Sequence, residues 1–219
     1  MAAKLTPNRI LWQVDVQADF MLPGGKLYVP GAERIIPQVK KLAEAARQNR
    51  VLMISSGDQH APDDPEFARF PPHCVRYTPG ADLLPEARAA KILRVPNNPA
   101  FALPPDLAAY QQVLIEKQTL DVFDNPHTEE ILERLPRDVT FTVYGVVTEY
   151  CVRCAAAGLL GRGKRVSIVT DAIETLDAQS GKKTIEELQA RGANLLTTEE
   201  AWNLLNAAPA GTLPSSAAS

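Results

Sequence analysis

The sequence predicts an α/β fold of three layers, in which helices cover both faces of a mainly parallel sheet of about six strands. Short apolar runs alternate along the chain with segments whose apolar residues recur at helical spacing, and this alternation is typical of a parallel sheet. The runs are apolar almost throughout, which indicates strands that are buried on both faces. The chain has 219 residues, of which 45% are hydrophobic, and this is enough for one core.

Six apolar runs carry the predicted strands. Each is rich in β-branched or bulky apolar side chains and ends in a polar or glycine-containing cluster. The predicted strands cover residues 10–16, 51–56, 112–116, 139–144 and 165–169, and a weaker sixth strand covers 193–196. Because open parallel sheets bind ligands outside the carboxyl ends of their strands, the polar residues that follow these runs are candidates for a functional site.

Four segments between the strands are predicted helices. In residues 32–48 the apolar side chains recur at the spacing of one helical face, and Pro37 lies near the start of the segment. Residues 128–135, 149–161 and 181–191 are the other helical candidates. Their alternation with the strands supports the α/β class.

Composition excludes several classes of protein. The net charge of −3 gives no electrostatic basis for binding nucleic acid, and no apolar run reaches the ~18 residues of a membrane span. The first residues lack the hydrophobic core of a signal peptide, and three cysteines are too few for a disulfide framework. We therefore expect a cytoplasmic protein with one domain over residues 1–206 and a disordered tail over 207–219. A homo-oligomer is compatible with this sequence.

One long segment interrupts the alternation of strands and helices. Residues 57–88 contain six of the 18 prolines and two of the three histidines, and they show no clear periodicity. Loops of this length are usually either functional or disordered. Since prolines stiffen this loop and histidines are concentrated in it, we predict a functional loop.

Three residues after separate strands predict a nucleophilic site. Asp15, Lys117 and Cys151 each follow an apolar run, so a carboxylate, an amine and a thiol leave the sheet at one edge. With Thr148 as the N-cap, Cys151 lies in the first turn of a helix, where the helix dipole and a nearby ammonium favour a thiolate. Asp15 is then the candidate general base.

Each of the three residues also has a structural explanation. Cys151 can also be explained as a small buried hydrophobic residue, and Asp15 as an aspartate that caps a loop. Lys117 would then form a salt bridge with Asp121 or Glu116.

A second group of residues has the composition of a metal site. Asp58 and His60 are two positions apart, which in extended backbone places both on one side, and His73 in the long loop supplies another imidazole. Glu66 is a fourth, less certain ligand. Two histidines with carboxylates suit zinc, manganese or iron, so we expect one divalent metal ion. Solvated loop residues are the structural alternative, and His127 at a helix start is predicted to be structural.

The ordered motifs together resemble those of the isochorismatase-like cysteine hydrolases, and within them the nicotinamidases. The resemblance extends from about residue 10 to residue 176 and excludes mainly the tail. It rests on the motifs VDVQADF (14–20), LPGG (22–25), VPG (29–31), DQH (58–60), PPHC (71–74), TPGA (78–81), EK (116–117) and GVVTEYCV (145–152).

The resemblance implies a Rossmann-like six-stranded sheet and a role for each of these residues. It implies a catalytic triad of Asp15, Lys117 and Cys151, and a metal site of Asp58, His60 and His73, with Glu66 at a more variable position. The family's non-proline cis peptide maps onto Val146–Val147, and the N–H groups of Val147 and Cys151 would form the oxyanion hole.

The resemblance also implies a substrate pocket and a reaction. Phe20 and Phe70 match positions where aromatic rings flank a pyridine ring. Phe123 lies where the sequence departs from its relatives, since Gln118 follows Lys117 where many of them have glycine. The implied reaction is hydrolysis of nicotinamide, a small molecule, to nicotinic acid and ammonia through a thioester, which would serve NAD salvage.

Three alternatives remain open at this point. The first is another hydrolase of the same family, acting on a different small amide or on isochorismate. The second is a thiol redox protein that uses Cys151 and Cys154, a C-x-x-C pair between a strand and a helix. The third is a partner-binding module without enzymatic activity.

Overall fold

Seven parallel strands form one sheet in a computed structural model that describes residues 9–206. Their order across the sheet is β3-β4-β2-β1-β5-β6-β7. The strands are β1 (Arg9–Val14), β2 (Leu52–Asp58), β3 (Ile92–Val95), β4 (Gln112–Lys117), β5 (Thr140–Gly145), β6 (Arg165–Ile173) and β7 (Asn194–Leu196). The predicted parallel α/β class is therefore confirmed, and the predicted tail over 207–219 lies outside the described residues.

The sheet has one strand more than the sequence predicted. The six predicted strands are all present, and the additional strand is β3 at one edge of the sheet. Only Val95 of this four-residue strand is fully buried, and Arg94 is exposed. An edge strand of this kind lacks the continuous apolar run that marks the central strands, so the pattern gave no signal.

Six α-helices accompany the strands within residues 9–206. They are α1 (Ala18–Met21), α2 (Ile36–Arg47), α3 (Thr128–Glu133), α4 (Arg153–Gly161), α5 (Ala178–Ala190) and α6 (Thr198–Asn206). The predicted helix over 32–48 begins as a 3-10 turn, Ala32–Ile35, and Pro37 lies in the first turn of α2, where the missing N–H is tolerated. The sequence did not predict α1 or α6, and α1 is too short to show a helical period.

Helices cover both faces of the sheet, as the three-layer prediction requires. One apolar cluster joins α2 and α6 to side chains such as Leu11 and Met53, and the other joins α3, α4 and α5 to side chains such as Trp12 and Ile54. Because successive residues of a strand point to opposite faces, β1 and β2 contribute to both clusters. This double burial explains why every residue of β2 and β4 is buried.

The long loop after β2 is ordered by backbone hydrogen bonds and short turns. Three 3-10 turns, Pro65–Ala68, Pro79–Ala81 and Pro85–Ala87, each begin with a proline. The His60 N–H donates to the carbonyl of Cys74, and the Arg76 N–H donates to the carbonyl of His60. These bonds fold the loop back over the end of β2. Within residues 9–206, no helix combines the length and the apolar character needed to cross a bilayer.

Candidate active site

The carboxyl ends of the central strands bring the predicted polar residues together. Asp15 follows β1, Asp58 ends β2, Lys117 ends β4, and Cys151 lies in the turn after β5. The strand register places Asp58 directly beside Lys117. The structure therefore brings residues 15, 117 and 151 to one edge of the sheet.

Lys117 lies at the centre of this group and contacts the other three side chains. Its Nζ is 2.9 Å from Asp15 Oδ2 and 3.5 Å from Cys151 Sγ, and it also pairs with Asp58 Oδ1. The lysine is only 1% exposed. Its charge is compensated by two carboxylates, which a buried ammonium requires.

The proposed salt bridge of Lys117 with Asp121 or Glu116 is wrong. Glu116 instead pairs with Arg94 at 2.9 Å on the other side of β4. Asp121 accepts a hydrogen bond from the backbone N–H of Phe123 and begins a 3-10 turn. The side chain of Lys117 points into the site because neighbouring residues of a strand face opposite sides of the sheet.

Burial and charge set the protonation states of this group. Burial alone would lower the pKa of Lys117, but Asp15 and Asp58 outweigh it and raise that pKa well above its usual value. Burial raises the pKa of Cys151 and that of Asp15, and Lys117 offsets the effect only in part. The resting sulfur is therefore a neutral thiol beside an ammonium, and an attack by sulfur must transfer its proton to a nearby base.

Asp15 is held in one orientation by its neighbour on β2. The Ser56 hydroxyl donates to Asp15 Oδ1 at 2.7 Å, and Lys117 faces the other carboxylate oxygen. The backbone of Asp15 has a φ of 50°, in the left-handed region that few residues other than glycine adopt. Such backbone occurs often at functional sites, and here it directs the carboxylate toward the sulfur and the amine.

The turn that carries Cys151 differs from the expected helix start. Residues Thr148–Val152 form a π-helical turn before α4, and Val147 is its N-cap residue. The Thr148 hydroxyl donates to the carbonyl of Glu174 at 2.8 Å, so the prediction of a Thr148 N-cap is wrong. The peptide bond between Val146 and Val147 is cis.

Val147 offers a free backbone donor at the start of the turn that carries Cys151. Its carbonyl accepts the N–H groups of Tyr150 and Val152 at 3.1 Å. Its own N–H has no hydrogen-bond acceptor within the described part of the chain. A buried donor of this kind is available to a ligand oxygen.

A second cluster lies on the far side of Asp58. His60 Nε2 is 3.7 Å and His73 Nε2 is 3.6 Å from Asp58 Oδ2, while Asp58 Oδ1 faces Lys117. One ligand atom from each of the three residues lies within 4.8 Å of the other two. Burial would raise the pKa of Asp58, but Lys117 and the two imidazoles outweigh it and lower that pKa far below its usual range. Asp58 therefore joins the two clusters as a carboxylate.

The side chains of this second cluster fit a divalent metal ion. His60 is fully buried, and neither of its ring nitrogens makes a hydrogen bond of good geometry to residues 9–206. A buried imidazole without partners is costly, and a metal ion at the meeting point of the three side chains would satisfy Nε2. Glu66 Oε2 is 4.0 Å from His60 Nε2, at the periphery of the cluster.

Aromatic rings border the second cluster. Two of the three predicted pocket residues, Phe20 and Phe70, are among them. The rings of Phe20 and Phe70 lie 5.4 and 6.4 Å from that of His73. Phe123 lies elsewhere, since its ring stacks on Trp12 and lies 3.7 Å from the Arg162 guanidinium. The structure therefore gives no support to Phe123 as a pocket residue beside Phe20 and Phe70.

Several side chains of the site were not predicted from the sequence. Phe67 lies 5.2 Å from the His60 ring, and Tyr150 lies 6.5 Å from Phe70. Asp64 Oδ2 is 3.1 Å from His60 Nδ1. The sequence offered one signal for Asp64, its position just before a proline at the start of a turn, where an aspartate commonly caps.

The C-x-x-C pair, Cys151 and Cys154, lacks the features of a redox dithiol in the described part of the chain. Cys151 and Cys154 are both free thiols, and burial raises the pKa of each. Reactive redox cysteines have lowered pKa values and accessible sulfurs.

His127, predicted to be structural, contacts the carbonyl of Asn98 at 2.8 Å through Nε2.

The chain is similar in sequence to proteins of known family. A sequence model of the isochorismatase domain matches residues 10–95 and 93–200. A nicotinamidase/pyrazinamidase of Mycobacterium tuberculosis is 29% identical over 195 residues, which are 86% of this chain and 98% of that protein. A nicotinamidase of Escherichia coli is 27% identical over 213 residues, with 87% and 95% of the two chains covered.

A solved structure gives the same result for the fold. The crystal structure of a pyrazinamidase of Pyrococcus horikoshii in complex with zinc aligns with a TM-score of 0.69 at 28% identity. The alignment covers 87% of this chain and 99% of that one.

Proposed function

Because this chain belongs to the isochorismatase domain family, we propose that it is a metal-dependent cysteine amidohydrolase that converts nicotinamide to nicotinic acid and ammonia. The observation that carries the proposal is the buried Lys117, which contacts Asp15, Asp58 and Cys151 at once. Relatives named as nicotinamidases align with nearly the whole of their own length, which supports the choice of amide.

Cys151 is the nucleophile in this proposal, and Asp15 is the base. Sγ attacks the carboxamide carbon while its proton passes to Asp15, whose raised pKa makes it a stronger base than a solvated aspartate. Asp15 then gives that proton to the leaving nitrogen, the C–N bond breaks, and ammonia departs from a thioester. Water attacks the thioester as Asp15 takes its proton. The C–S bond then breaks, Asp15 returns the proton to the sulfur, and the acid leaves the free thiol of Cys151.

Lys117 and the turn at Val147 stabilise the charges that develop. The ammonium lies 3.5 Å from Sγ and stabilises the sulfur as it loses its proton. The N–H groups of Val147 and Cys151 are the proposed donors to the oxyanion that forms at the carbonyl carbon. One such donor typically contributes a factor of ~10²–10³ to the rate.

Asp58, His60 and His73 would hold one divalent metal ion, with Glu66 at the periphery of that site. The ion would act as a Lewis acid toward the ring nitrogen of the substrate. Phe20 and Phe70, which border His73, would contact the faces of the ring and keep water from it. The amide is thereby presented to the sulfur in one orientation.

The test is ammonia release by the purified protein. We expect turnover of nicotinamide, loss of turnover after dialysis against a chelator, and recovery with zinc, manganese or iron, with the bound metal measured by elemental analysis. A protein without bound metal, whose turnover of nicotinamide is absent or is unchanged by Asp58→Ala, would contradict the proposal. Such a result would favour the hydrolysis of isochorismate or of another amide.

Two cysteine variants provide a matched control for the same assay. Cys151→Ala removes the nucleophile, and we expect turnover to fall by roughly 10⁴-fold or more, as in other hydrolases that lose the attacking side chain. Cys154→Ala removes a half-buried sulfur one helical turn away and should leave turnover within about threefold. Equal losses in both variants would instead support a dithiol chemistry.

A further inference from the structure

His60 and His73 both turn Nε2 toward Asp58, but their Nδ1 atoms face different partners. His73 Nδ1 lies 2.8 Å from the backbone carbonyl of Pro71. Because a carbonyl only accepts hydrogen bonds, this nitrogen carries a proton, and in a neutral ring the lone pair is then on Nε2. Nε2 is the atom that faces Asp58. The backbone thus fixes the tautomer of His73 that a metal needs.

His60 presents the same two nitrogens but has no carbonyl beside it. Its Nε2 faces Asp58, and its Nδ1 lies 3.1 Å from Asp64 Oδ2. This separation is within hydrogen-bond distance, and the bond forms once the N–H is aligned with the oxygen. Apart from these carboxylates and Glu66, no charged group of residues 9–206 forms an ion pair with the His60 ring.

Asp64 is itself fixed by a second contact. Its Oδ1 accepts the backbone N–H of Glu66 at 3.0 Å and so begins the turn Pro65–Ala68. Its side chain is only 9% exposed. One carboxylate oxygen therefore anchors the residue in the loop, and the other is directed at the His60 ring.

We propose that Asp64 is a positioning residue, which accepts the Nδ1 proton of His60 and so keeps the Nε2 lone pair free for the metal. The inference rests on the metal site of the proposed function and extends it to a residue that does not touch the ion. A carboxylate on the outer nitrogen also makes the imidazole a stronger ligand. In this chain Asp64 does for His60 what the Pro71 carbonyl does for His73.

The alternative to a hydrogen bond between Asp64 and His60 is a second cation bound by the same side chains. One ligand atom each from His60, Asp64 and Glu66 lies within 4.8 Å of the others. A second ion there would need His60 Nδ1 as a ligand and would exclude a proton on that atom. The two arrangements therefore differ in stoichiometry and in the tautomer of His60.

The test uses Asp64→Asn with Asp63→Asn as its matched control. Asparagine keeps the oxygen that caps the turn but places an NH₂ donor against His60 Nδ1, which favours a proton on Nε2 instead. Asp63 is the exposed neighbour in the same loop. We expect zinc affinity, measured by competition with a chromogenic chelator, to weaken about 10- to 100-fold in Asp64→Asn and to change little in Asp63→Asn.

Nitrogen NMR of the imidazole rings separates this effect from a general disturbance of the loop. In metal-free protein with neutral rings, wild type and Asp63→Asn should carry the His60 proton on Nδ1, and Asp64→Asn should carry it on Nε2, while His73 stays unchanged in all three. An unchanged His60 tautomer or an unchanged zinc affinity in Asp64→Asn would overturn the inference, as would two zinc ions per wild-type chain.

Failure of the proposed function gives a different result. If wild-type protein binds no zinc, manganese or iron, the proposed metal site is wrong, and the role of Asp64 toward it is wrong with it. If wild type binds one ion and turns over nicotinamide, but Asp64→Asn matches it in zinc affinity, only the positioning role is wrong.

Discussion

The two halves of the candidate site are built in different ways. Asp15 directly follows β1, Lys117 is the last residue of β4, and Cys151 lies in the turn after β5, so the parallel strands bring all three to one edge of the sheet. His60 and His73 belong to the long loop after β2, and their positions depend on loop hydrogen bonds such as those at Cys74 and Pro71. We call these the strand half and the loop half.

This difference separates the two chemical tasks. In the proposed reaction, the atoms that form and break bonds lie on the strand half, where a small displacement would be most costly. The loop half holds and orients the ring of the substrate in the proposed reaction. Asp58 ends β2 and contacts both Lys117 and the histidines, so it joins the two halves.

The largest loss of stability and turnover is expected when the charge at the centre of the strand half is removed. Lys117→Met leaves Asp15 and Asp58 as buried carboxylates without their ammonium. Breaking a buried ion pair in this way costs about 3–5 kcal/mol of the free energy of unfolding, and we expect turnover to be lost as well. Urea denaturation at neutral pH measures the first effect, and ammonia release measures the second.

Lys182→Met is the matched control for that substitution. Lys182 lies on α5, its side chain is 79% exposed, and its nearest carboxylate is 3.9 Å away on Glu186. Surface pairs of this kind contribute little, so stability and turnover should stay close to wild type. A loss of less than about 1 kcal/mol in Lys117→Met would show that the charges of the strand half do not depend on one another.

The sequence predicted the strand half well because strand ends obey a simple rule. Apolar runs identify buried parallel strands, and residues directly after them meet at one edge of the sheet. This rule brings Asp15, Lys117 and Cys151 together from the sequence alone. The same rule could not find β3, an edge strand with an exposed Arg94 and no continuous apolar run.

The loop half was predictable only in its ligand types. Asp58, His60 and His73 follow from residue chemistry and spacing, but Asp64 and Phe67 are found only from contacts across the loop. The prediction of Phe123 as a pocket residue has no support because the position of Phe123 shortly after Lys117 does not determine where its ring packs. In the structure the ring packs against Trp12 and Arg162. Long-range contacts of this kind leave no periodic signal in one sequence.

A smaller effect is expected from a glycine that supports the loop half. A methyl group at Gly80 would overlap the Asp19 carboxylate, which accepts the backbone N–H groups of Cys74 at 2.7 Å and Lys26 at 3.0 Å. Asp19 cannot move without losing these bonds, so Gly80→Ala should cost about 1–3 kcal/mol in urea denaturation. Zinc affinity should fall too, since Cys74 follows His73.

Gly161→Ala shows whether that loss is specific to the overlap. Gly161 ends α4, and a Cβ there meets no atom within 4 Å. Alanine is the better helix former, so this variant should be as stable as wild type or slightly more stable. If Gly80→Ala were equally harmless, the loop half would be more adaptable than its hydrogen bonds indicate.

The smallest expected effect is a change in pH dependence within the strand half. Burial raises the pKa of Asp15, and the hydrogen bond from Ser56 lowers it in part. Asp15 must be a carboxylate to accept the Cys151 proton, so kcat/KM should rise with pH as Asp15 ionises, above the usual range of an aspartate. In Ser56→Ala the stabilising hydroxyl is gone, and this acid limb should move to higher pH while the plateau stays nearly the same.

Ser55→Ala separates that shift from a general effect of altering β2. Ser55 faces the opposite side of the sheet, where its hydroxyl donates to Gln13 Oε1 at 3.3 Å and accepts from Gln112 Nε2 at 2.7 Å. This variant should lose stability because buried partners become unpaired, yet keep the acid limb of wild type. Of the two serines, Ser56 contacts Asp15 and Ser55 does not. Equal shifts of the acid limb in both serine variants would therefore mean that Asp15 is not the group whose ionisation controls the reaction.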